Sequence, residues 1–318
     1  MDRSMKTVAN EQKEDKKAVI KRKTFPFLLM SPFFIVTGIF VIIPICIMVA
    51  MSFTNMGLDL KWNFIGLDSY IKLLHDTSIP TIIARTLVFV VLGTVCSVLS
   101  SVFIAVVTTF YLDLVYKRET AGILFRILWL LPSLTPSVVY AFIWYYVFGA
   151  TEYGLLNTIL SAFSIPAVTW LARYPQVILF LICVLSSASG SIVLFSAAVR
   201  QIPEHILQAA KVDGAPPLAI CRKIVLPYLK WPIMQKALWS VLGFFCTYEI
   251  IYLLTKGGPY GQTTTFAYYI YQNAFSMKMF GVGAALAVIL VAMSSILGLV
   301  VLRVFKVEKQ LQDPRMDL

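Results

Sequence analysis

The stretch LQAAKVDGAPPLAICRKIVLPYLKWP, residues 207–232, is a polar and basic island between two long apolar runs. Good helix formers fill positions 204–212, Asp213 and Gly214 form a turn pair, and the prolines at 216–217 suit the first turn of a second helix. The pattern therefore predicts helix, turn, helix. A short helical knob that projects from an otherwise apolar chain is what a partner protein could grip.

Three details refine this prediction. Asp213 is expected to cap the second helix, and Leu226-Pro227 is expected to end it. Three small residues, Ala209, Ala210 and Ala215, make the turn narrow enough to enter a groove on a partner. The alternative is an ordinary loop that is helical by chance, because a motif match alone is a hypothesis.

Composition places the chain in a membrane. Of its 318 residues, 59% are hydrophobic and only 14% are charged, which is more apolar surface than a soluble globule can bury. A membrane-crossing helix needs about 20 apolar residues, whereas a β-barrel would show alternation. The predicted fold is all-α with six spans, at 27–53, 84–112, 123–148, 176–199, 234–255 and 280–304.

The placement of the net charge of +11 predicts the orientation. Cations gather before the first span and after the second, fourth and sixth; those between the fourth and fifth are Arg200, Lys211, Arg222, Lys223, Lys230 and Lys236. This positive-inside pattern places both termini and the 200–232 segment in the cytoplasm of a multi-pass protein. Nucleic-acid binding is disfavoured, because the charges are dispersed along membrane edges with few interleaved aromatics.

The domain plan is simple. Residues 1–24 are expected to form a disordered cytoplasmic tail, 25–306 a single membrane domain, and 307–318 a second cytoplasmic tail. The first span is taken as an uncleaved helix. Neither a disulfide framework nor a metal site emerges from the five cysteines.

Prolines mark the third span. Pro132 and Pro136 predict a kink or unwound turn near its cytoplasmic end. The external segment that follows is expected to contain a short helix at the membrane interface, anchored by Trp170.

A substrate is expected between the fourth and fifth spans. Polar and small residues lie within the fourth, at Ser186, Ser187, Ser189, Gly190 and Ser191, although helix packing explains small residues and serines equally well. The fifth contributes Trp239, Gly243, Phe244, Thr247 and Tyr248. Glu249 lies in the same span, where a carboxylate faces a cavity or a partner, or lies close enough to the interface to be hydrated.

The 207–232 stretch resembles the EAA loop of the membrane-spanning subunits of bacterial ABC importers. That loop reads E-A-A-x-x-D-G-A and is followed about a dozen residues later by an apolar residue and L-P. The matching residues are Ala209, Ala210, Asp213, Gly214, Ala215, Ile224, Leu226 and Pro227. Gln208 stands where the family usually has Glu, so an ion pair from this position is lost.

The resemblance extends to maltose-type carbohydrate importers, and to the first of their two permeases. It is carried by FTNMGLDLKWNFIGLDSYIKLL at 53–74 and LLTKGGPYGQTTTFAYYIYQNAF at 253–275. It implies a type I importer permease in which the sugar lies midway across the membrane. The substrate positions that it implies are Cys183, Ser186, Ser187, Gly190, Gly243, Phe244 and Thr247, to which we add Tyr248. Phe244 is expected to be an aromatic platform for the sugar. Gly257, Gly258 and Pro259 are expected to face an external sugar-binding protein.

The resemblance also implies the partners. The chain has no Walker A sequence, so ATP and Mg²⁺ are expected on two ATPase subunits that grip the loop 204–227, with a second permease beside this chain. We expect no bound cofactor and no catalytic residue in the chain itself, and localisation to the bacterial inner membrane. The alternatives are an ion-coupled secondary transporter, a receptor or scaffold, and an importer permease for a non-sugar solute such as glycerol phosphate.

Overall fold

The computed structural model describes residues 29–304. Within this range all regular secondary structure is helical, apart from one isolated bridge between Thr54 and Phe64. The predicted tails, 1–24 and 307–318, lie outside the described residues.

Fourteen helices follow one another along the described range. They are α1 Leu29–Met51, α2 Asp68–His75, α3 Ile79–Val115, α4 Glu119–Leu134, α5 Ser137–Val147, α6 Leu155–Ala162, α7 Trp170–Arg173, α8 Pro175–Arg200, α9 Glu204–Val212, α10 217–228, α11 Lys230–Phe245, α12 Glu249–Leu254, α13 266–276 and α14 Phe280–Val304. α8 is interrupted at 190–191, and α10 contains a π-helical turn, Cys221–Val225.

Four of these helices, α1, α3, α8 and α14, are long and apolar enough to cross a membrane. α4 and α5 together form a fifth candidate span, bent by 104° at its break. The predicted span 234–255 is divided between α11, which has 16 residues, and the short α12. By length and composition the described residues therefore provide four or five spans, and the expected count of six stays a prediction.

The break between α4 and α5 follows from proline chemistry. Thr135 precedes Pro136 and has an extended backbone (φ −83°, ψ 128°), because the proline ring disfavours the helical conformation of the preceding residue. A break at these prolines is as predicted, but its expected position near the cytoplasmic end is wrong. α4 is 16 residues long and α5 is 11, so the break lies past the middle of the pair.

α3 is the central helix of the bundle. It packs against α8 and α11, and α11 packs in turn against α14. The largest core cluster joins these helices around Val90, Ile182 and Phe245, all of which are fully buried. In contrast, α1 has no buried residue, so it lies at the periphery. In this arrangement the polar faces of α8 and α11 line a cavity, which is described below.

The segment between α5 and α8 is organised by one buried amide. Asn157, which is 1% exposed, donates to the carbonyl oxygens of Gly149, Thr151 and Val168. Its Oδ1 accepts from Trp170 Nε1 at 2.9 Å and from the Val168 amide. α6 is a short helix in this segment, as predicted, and the half-buried Trp170 is held by Asn157. The location of this helix at a membrane interface stays a prediction.

Replacing Asn157 by alanine is expected to destabilise the segment 149–174. Each buried group left without a partner costs about 1–3 kcal/mol, and several are left at once. The apparent melting temperature of the detergent-purified protein is expected to fall, with earlier protease cleavage in this segment. Asn63→Ala, at an exposed asparagine, is the matched control. Equal melting temperatures for the two variants would contradict the prediction.

Candidate functional site

A cavity of about 540 Å³ lies between α4, α5, α8, α11 and α12. Seven of the eight predicted substrate-path residues line it, namely Cys183, Ser186, Ser187, Gly243, Phe244, Thr247 and Tyr248. Gly190 does not line the cavity; a Cβ added to it would lie 3.8 Å from Ser133 Cβ of α4. The volume is within the range of about 300–1,000 Å³ that is typical of small-molecule sites.

Helix breaks contribute to the cavity wall. Residues on both sides of the break between α4 and α5 line it, and so do the non-helical residues 246–248 between α11 and α12. On the third side, Ser186 and Ser187 lie just before the interruption of α8. Interrupted helices in a membrane expose backbone polar groups, and such breaks are tolerated where they line a cavity.

Lys236 is the cationic side chain of this cavity. The charge count groups Lys236 with the cations between the fourth and fifth spans, although the predicted fifth span begins at 234. The structure places it within α11, where it is 7% exposed. Its Nζ donates to the Ser187 carbonyl oxygen at 2.6 Å and to Ser187 Oγ at 3.0 Å. Ser187 Oγ also accepts from Ser97 Oγ at 2.9 Å, so α3, α8 and α11 are connected at this point.

Glu249 also lines the cavity, at the start of α12. Ser137 of α5 donates to Glu249 Oε1 at 2.9 Å. Of the two expectations for Glu249, the structure therefore favours a carboxylate that faces a cavity. In the part of the chain that the structure describes, no three His, Cys, Asp or Glu side chains come together as a metal site would require.

The aromatic platform differs from the prediction. The Phe244 ring is 3% exposed and packs edge-to-face on Phe89, with 5.3 Å between ring centroids. It is therefore mainly a core side chain. Trp239 and Tyr248 also line the cavity and are 66% and 42% exposed, so these two rings are available for stacking.

The serines of α8 serve both of the expected roles, helix packing and lining of the substrate cavity. Ser189 is fully buried; its hydroxyl donates to the Trp129 carbonyl and accepts from the Ser133 amide, which is helix packing. Ser186 lines the cavity, and Ser187 does so while bonding Lys236. Cys183 is buried at the cavity wall.

The 207–232 stretch forms the predicted helix, turn and helix. α9 ends in a Schellman motif: Gly214 has φ +74°, its amide bonds the Lys211 carbonyl, and the Ala215 amide bonds the Ala210 carbonyl. The prediction that Asp213 caps the second helix is wrong. Asp213 is the C-cap of α9, and the N-cap of α10 is Pro216, which has no capping side chain. α10 continues one residue past Pro227.

This segment has an anchored face and a free face. Leu207, Val225 and Leu229 are buried against Phe110 and Phe195 at one end of the bundle. On the opposite face, Val212 is 87% and Leu218 is 71% exposed.

The remaining predicted residues of the segment are arranged around the turn. Gln208, Ala209 and Asp213 are exposed, whereas Ala210, Ala215 and Ile224 are half-buried. Gln208 Nε2 donates to Glu204 Oε1 at 3.0 Å, so its amide is used within α9. Burial raises the pKa of the Cys221 thiol above its ordinary value, which keeps the thiol protonated at neutral pH.

The loop 255–265 holds the three residues expected to face a binding protein. Gly257 has φ +79°, and a Cβ there would lie 2.7 Å from Thr264 Oγ1. Thr263 Oγ1 donates to the Gly258 carbonyl, and Arg85 Nη1 donates to the Gly261 carbonyl at 2.7 Å. Tyr260, at 97% exposure, lies at the tip; sequence reasoning missed it, although its position after the Gly-Gly-Pro turn signalled it.

Sequence reasoning also missed a buried ion cluster. Asp113 at the end of α3 is 3% exposed, and its Oδ2 accepts from Arg126 Nη1 at 2.8 Å and from Arg200 Nη2 at 2.7 Å. Arg126 lies in α4, and Arg200 ends α8 just before the 204–227 segment. The cluster thus connects three helices at the base of that segment.

Comparison with known proteins identifies the family. Residues 101–307, well over half of the chain, match the family of binding-protein-dependent transport system inner membrane components. The sn-glycerol-3-phosphate transport system permease protein UgpA of Escherichia coli O157:H7 is 30% identical over 86% of this chain and 90% of its own length. The sulfoquinovosyl glycerol transport system permease protein SmoG of Agrobacterium fabrum is 28% identical over 88% of this chain and 89% of its own length.

Solved structures share the fold. The structure of a bacterial ABC transporter involved in the import of the acidic polysaccharide alginate matches with a TM-score of 0.74 at 19% identity, over 91% of this chain and 97% of the other. The bacterial alginate ABC transporter in complex with an alginate pentasaccharide-bound periplasmic protein matches with a TM-score of 0.76 at 20% identity. The match covers 89% of this chain and 94% of the other. The predicted type I importer permease fold is therefore confirmed. The chain belongs to the family of inner membrane components of binding-protein-dependent transport systems, as a permease subunit of an ABC importer.

Proposed function

We propose that this permease conducts a carbohydrate or a closely related polyol derivative through the cavity around Ser187, and that ATPase subunits drive it through the 204–227 segment. The observation that carries the proposal is the pairing of a polar mid-bundle cavity with an exposed helical knob at one end of the bundle. An ion-coupled transporter is no longer a candidate, because the family is that of ABC importer permeases.

The cavity chemistry supports a polar, uncharged or partly charged cargo of sugar size. Hydroxyls of Ser186 and Thr247 line it. A sugar ring also has weakly hydrophobic faces, which suit the exposed rings of Trp239 and Tyr248. These same exposed rings fit a cavity that a second permease closes from the open side.

The knob supports mechanical coupling. Its buried face is packed against α3 and α8, so a force on the free face reaches α8, which carries Ser187 at the cavity wall. Val212 and Leu218 give the free face two apolar anchors, which a groove on an ATPase subunit would cover. ATP and Mg²⁺ would then be bound by those subunits. The loop with Gly257, Gly258 and Pro259, capped by Tyr260, is the proposed contact for the external binding protein.

A non-sugar cargo is the second candidate. One relative is named for sn-glycerol-3-phosphate transport and another for sulfoquinovosyl glycerol transport, so related chains handle small polyol derivatives as well as sugars. The cavity around Lys236 would accept either kind of solute.

Leu218→Asp is the test of the coupling proposal. A charge on the free face is expected to reduce copurification of the ATPase subunits by at least about tenfold, because an apolar anchor in a desolvated pocket is often worth about 2 kcal/mol or more. ATP-driven uptake into vesicles is expected to fall with it. Membrane insertion should be unchanged, since the Leu218 side chain is 71% exposed and has little buried contact to lose.

Leu74→Asp is the matched control, since Leu74 is 83% exposed and lies in α2, which is predicted to face outside. It should leave ATPase copurification unchanged. Copurification that survives Leu218→Asp and Val212→Asp together would overturn the coupling proposal.

A further inference from the structure

Lys236 is a buried cation without an anionic partner among the described residues. Its side chain is 7% exposed and reaches the cavity, and its Nζ bonds the carbonyl and hydroxyl oxygens of Ser187. Across residues 29–304, the ion pairs all involve Asp113, so no described carboxylate neutralises this ammonium. An ammonium has three donors, and two of them are used here.

Burying an ammonium without an anionic partner is energetically unfavourable. Removing a cation from water costs several kcal/mol, and neutral hydrogen-bond acceptors compensate only part of this cost. Buried cations in membrane proteins are therefore usually paired or placed on a solute pathway. A glutamine or serine could bond the Ser187 oxygens without carrying a charge, so holding α8 does not by itself require a lysine.

The other charged group of the cavity is Glu249, the first residue of α12, which follows the break in the helix at 246–248. Glu249 and Lys236 form no ion pair with each other. The Glu249 carboxylate accepts from Ser137. The cavity thus has a cationic end at Ser187 and an acceptor end at Glu249, with Thr247 and the exposed face of Tyr248 next to the acceptor.

We propose that the cargo carries an anionic group, a carboxylate, sulfonate or phosphate, which Lys236 binds while hydroxyls of the cargo donate to Glu249. This assignment deepens the proposed carbohydrate function and rests on it. The third ammonium proton and the Ser187 hydroxyl are the donors at the anionic end. Lys236 is then the specificity-determining residue between acidic and neutral solutes of the same size.

The test uses the complete importer, with both permeases, the ATPase subunits and the binding protein, in ATP-loaded vesicles. Uptake is measured for size-matched acidic and neutral solutes: glucuronate with glucose, sn-glycerol 3-phosphate with glycerol, and a uronate trisaccharide with a neutral trisaccharide. The variants are Lys236→Gln, Lys236→Arg and the exposed-surface control Lys72→Gln. Binding of each solute to the purified importer without ATP is followed in parallel by thermal shift.

In the wild-type importer, one acidic solute is expected to exceed its neutral partner in kcat/KM. Lys236→Gln is expected to lower that acid-to-neutral ratio at least about tenfold, since hydrogen bonds to charged groups are the stronger ones. Lys236→Arg should stay within a few fold, and Lys72→Gln should match wild type. A preference for the neutral member, or an equal loss of both members in Lys236→Gln, would overturn the inference and leave a structural lysine.

If ATP drives no uptake of any solute, the proposed function fails, and the thermal-shift measurement still decides the inference. Stabilisation by the acidic member alone, lost in Lys236→Gln, supports it. Equal stabilisation by both members, or none by either, overturns it.

Discussion

Gly214→Val is expected to abolish ATP-driven uptake while leaving the protein inserted and folded. Gly214 has φ +74°, a conformation that costs L-residues about 1–2 kcal/mol and β-branched residues more. No atom would lie within 4 Å of a Cβ added at this position, so the effect is conformational rather than steric crowding. Relief of the strain would open the Schellman turn and rotate α9 relative to α10, separating Val212 from Leu218. The measurement is uptake and ATPase copurification in the same preparation.

A graded series separates backbone conformation from side-chain bulk. Asparagine tolerates the left-handed region, so Gly214→Asn is expected to retain most of the uptake, with Gly214→Ala intermediate. Gly190→Ala is a control at a glycine with negative φ, where the nearest neighbour of a Cβ is 3.8 Å away. If Gly214→Val and Gly214→Asn transport equally well, the turn geometry has no part in coupling.

The turn is predictable from sequence because its signals are local. Helix formers, the Asp-Gly pair and the prolines that follow act within a few residues of each other, so α9 begins and ends as expected. The capping prediction for Asp213 fails for a local reason as well. The Schellman turn occupies the residues after α9, and the extended Pro216 is left as the N-cap of α10.

The cavity is only partly predictable, because it depends on distant contacts. Counting cations by segment groups Lys236 with the loop between the fourth and fifth spans, yet it lies in α11 and is buried by neighbouring helices. The sequence does not report that Arg126 bonds Asp113, or that Lys236 bonds Ser187, inside the bundle, because these partners are far away along the chain. Phe244 fails as a platform because no local pattern reports that Phe89 and Gly93 enclose its ring.

Asp113→Asn is expected to be among the most destabilising conservative changes in the chain. Asp113 Oδ2 accepts from two arginines, and the side chain is buried. Removing one partner of a buried ion pair typically costs about 3–5 kcal/mol, because the remaining charge is left uncompensated. Arg126, with a side chain only 12% exposed, would carry most of this penalty, while Arg200, at 53%, can turn towards water. The apparent melting temperature in detergent is the measurement.

The two arginines of the cluster differ in exposure, so their variants test whether burial sets the cost of losing an ion pair. Arg126→Gln is expected to cost more than Arg200→Gln, because a surface pair contributes only about 0–1 kcal/mol. Glu119→Gln, an exposed acid at the start of α4, is the control and should melt like wild type. Removing both charges, as in Asp113→Asn with Arg126→Gln, should melt higher than Asp113→Asn alone, since no charge is then buried without its partner. Additive losses in the double variant would show that Asp113 and Arg126 act independently, and that α3 and α4 are held together by apolar packing alone.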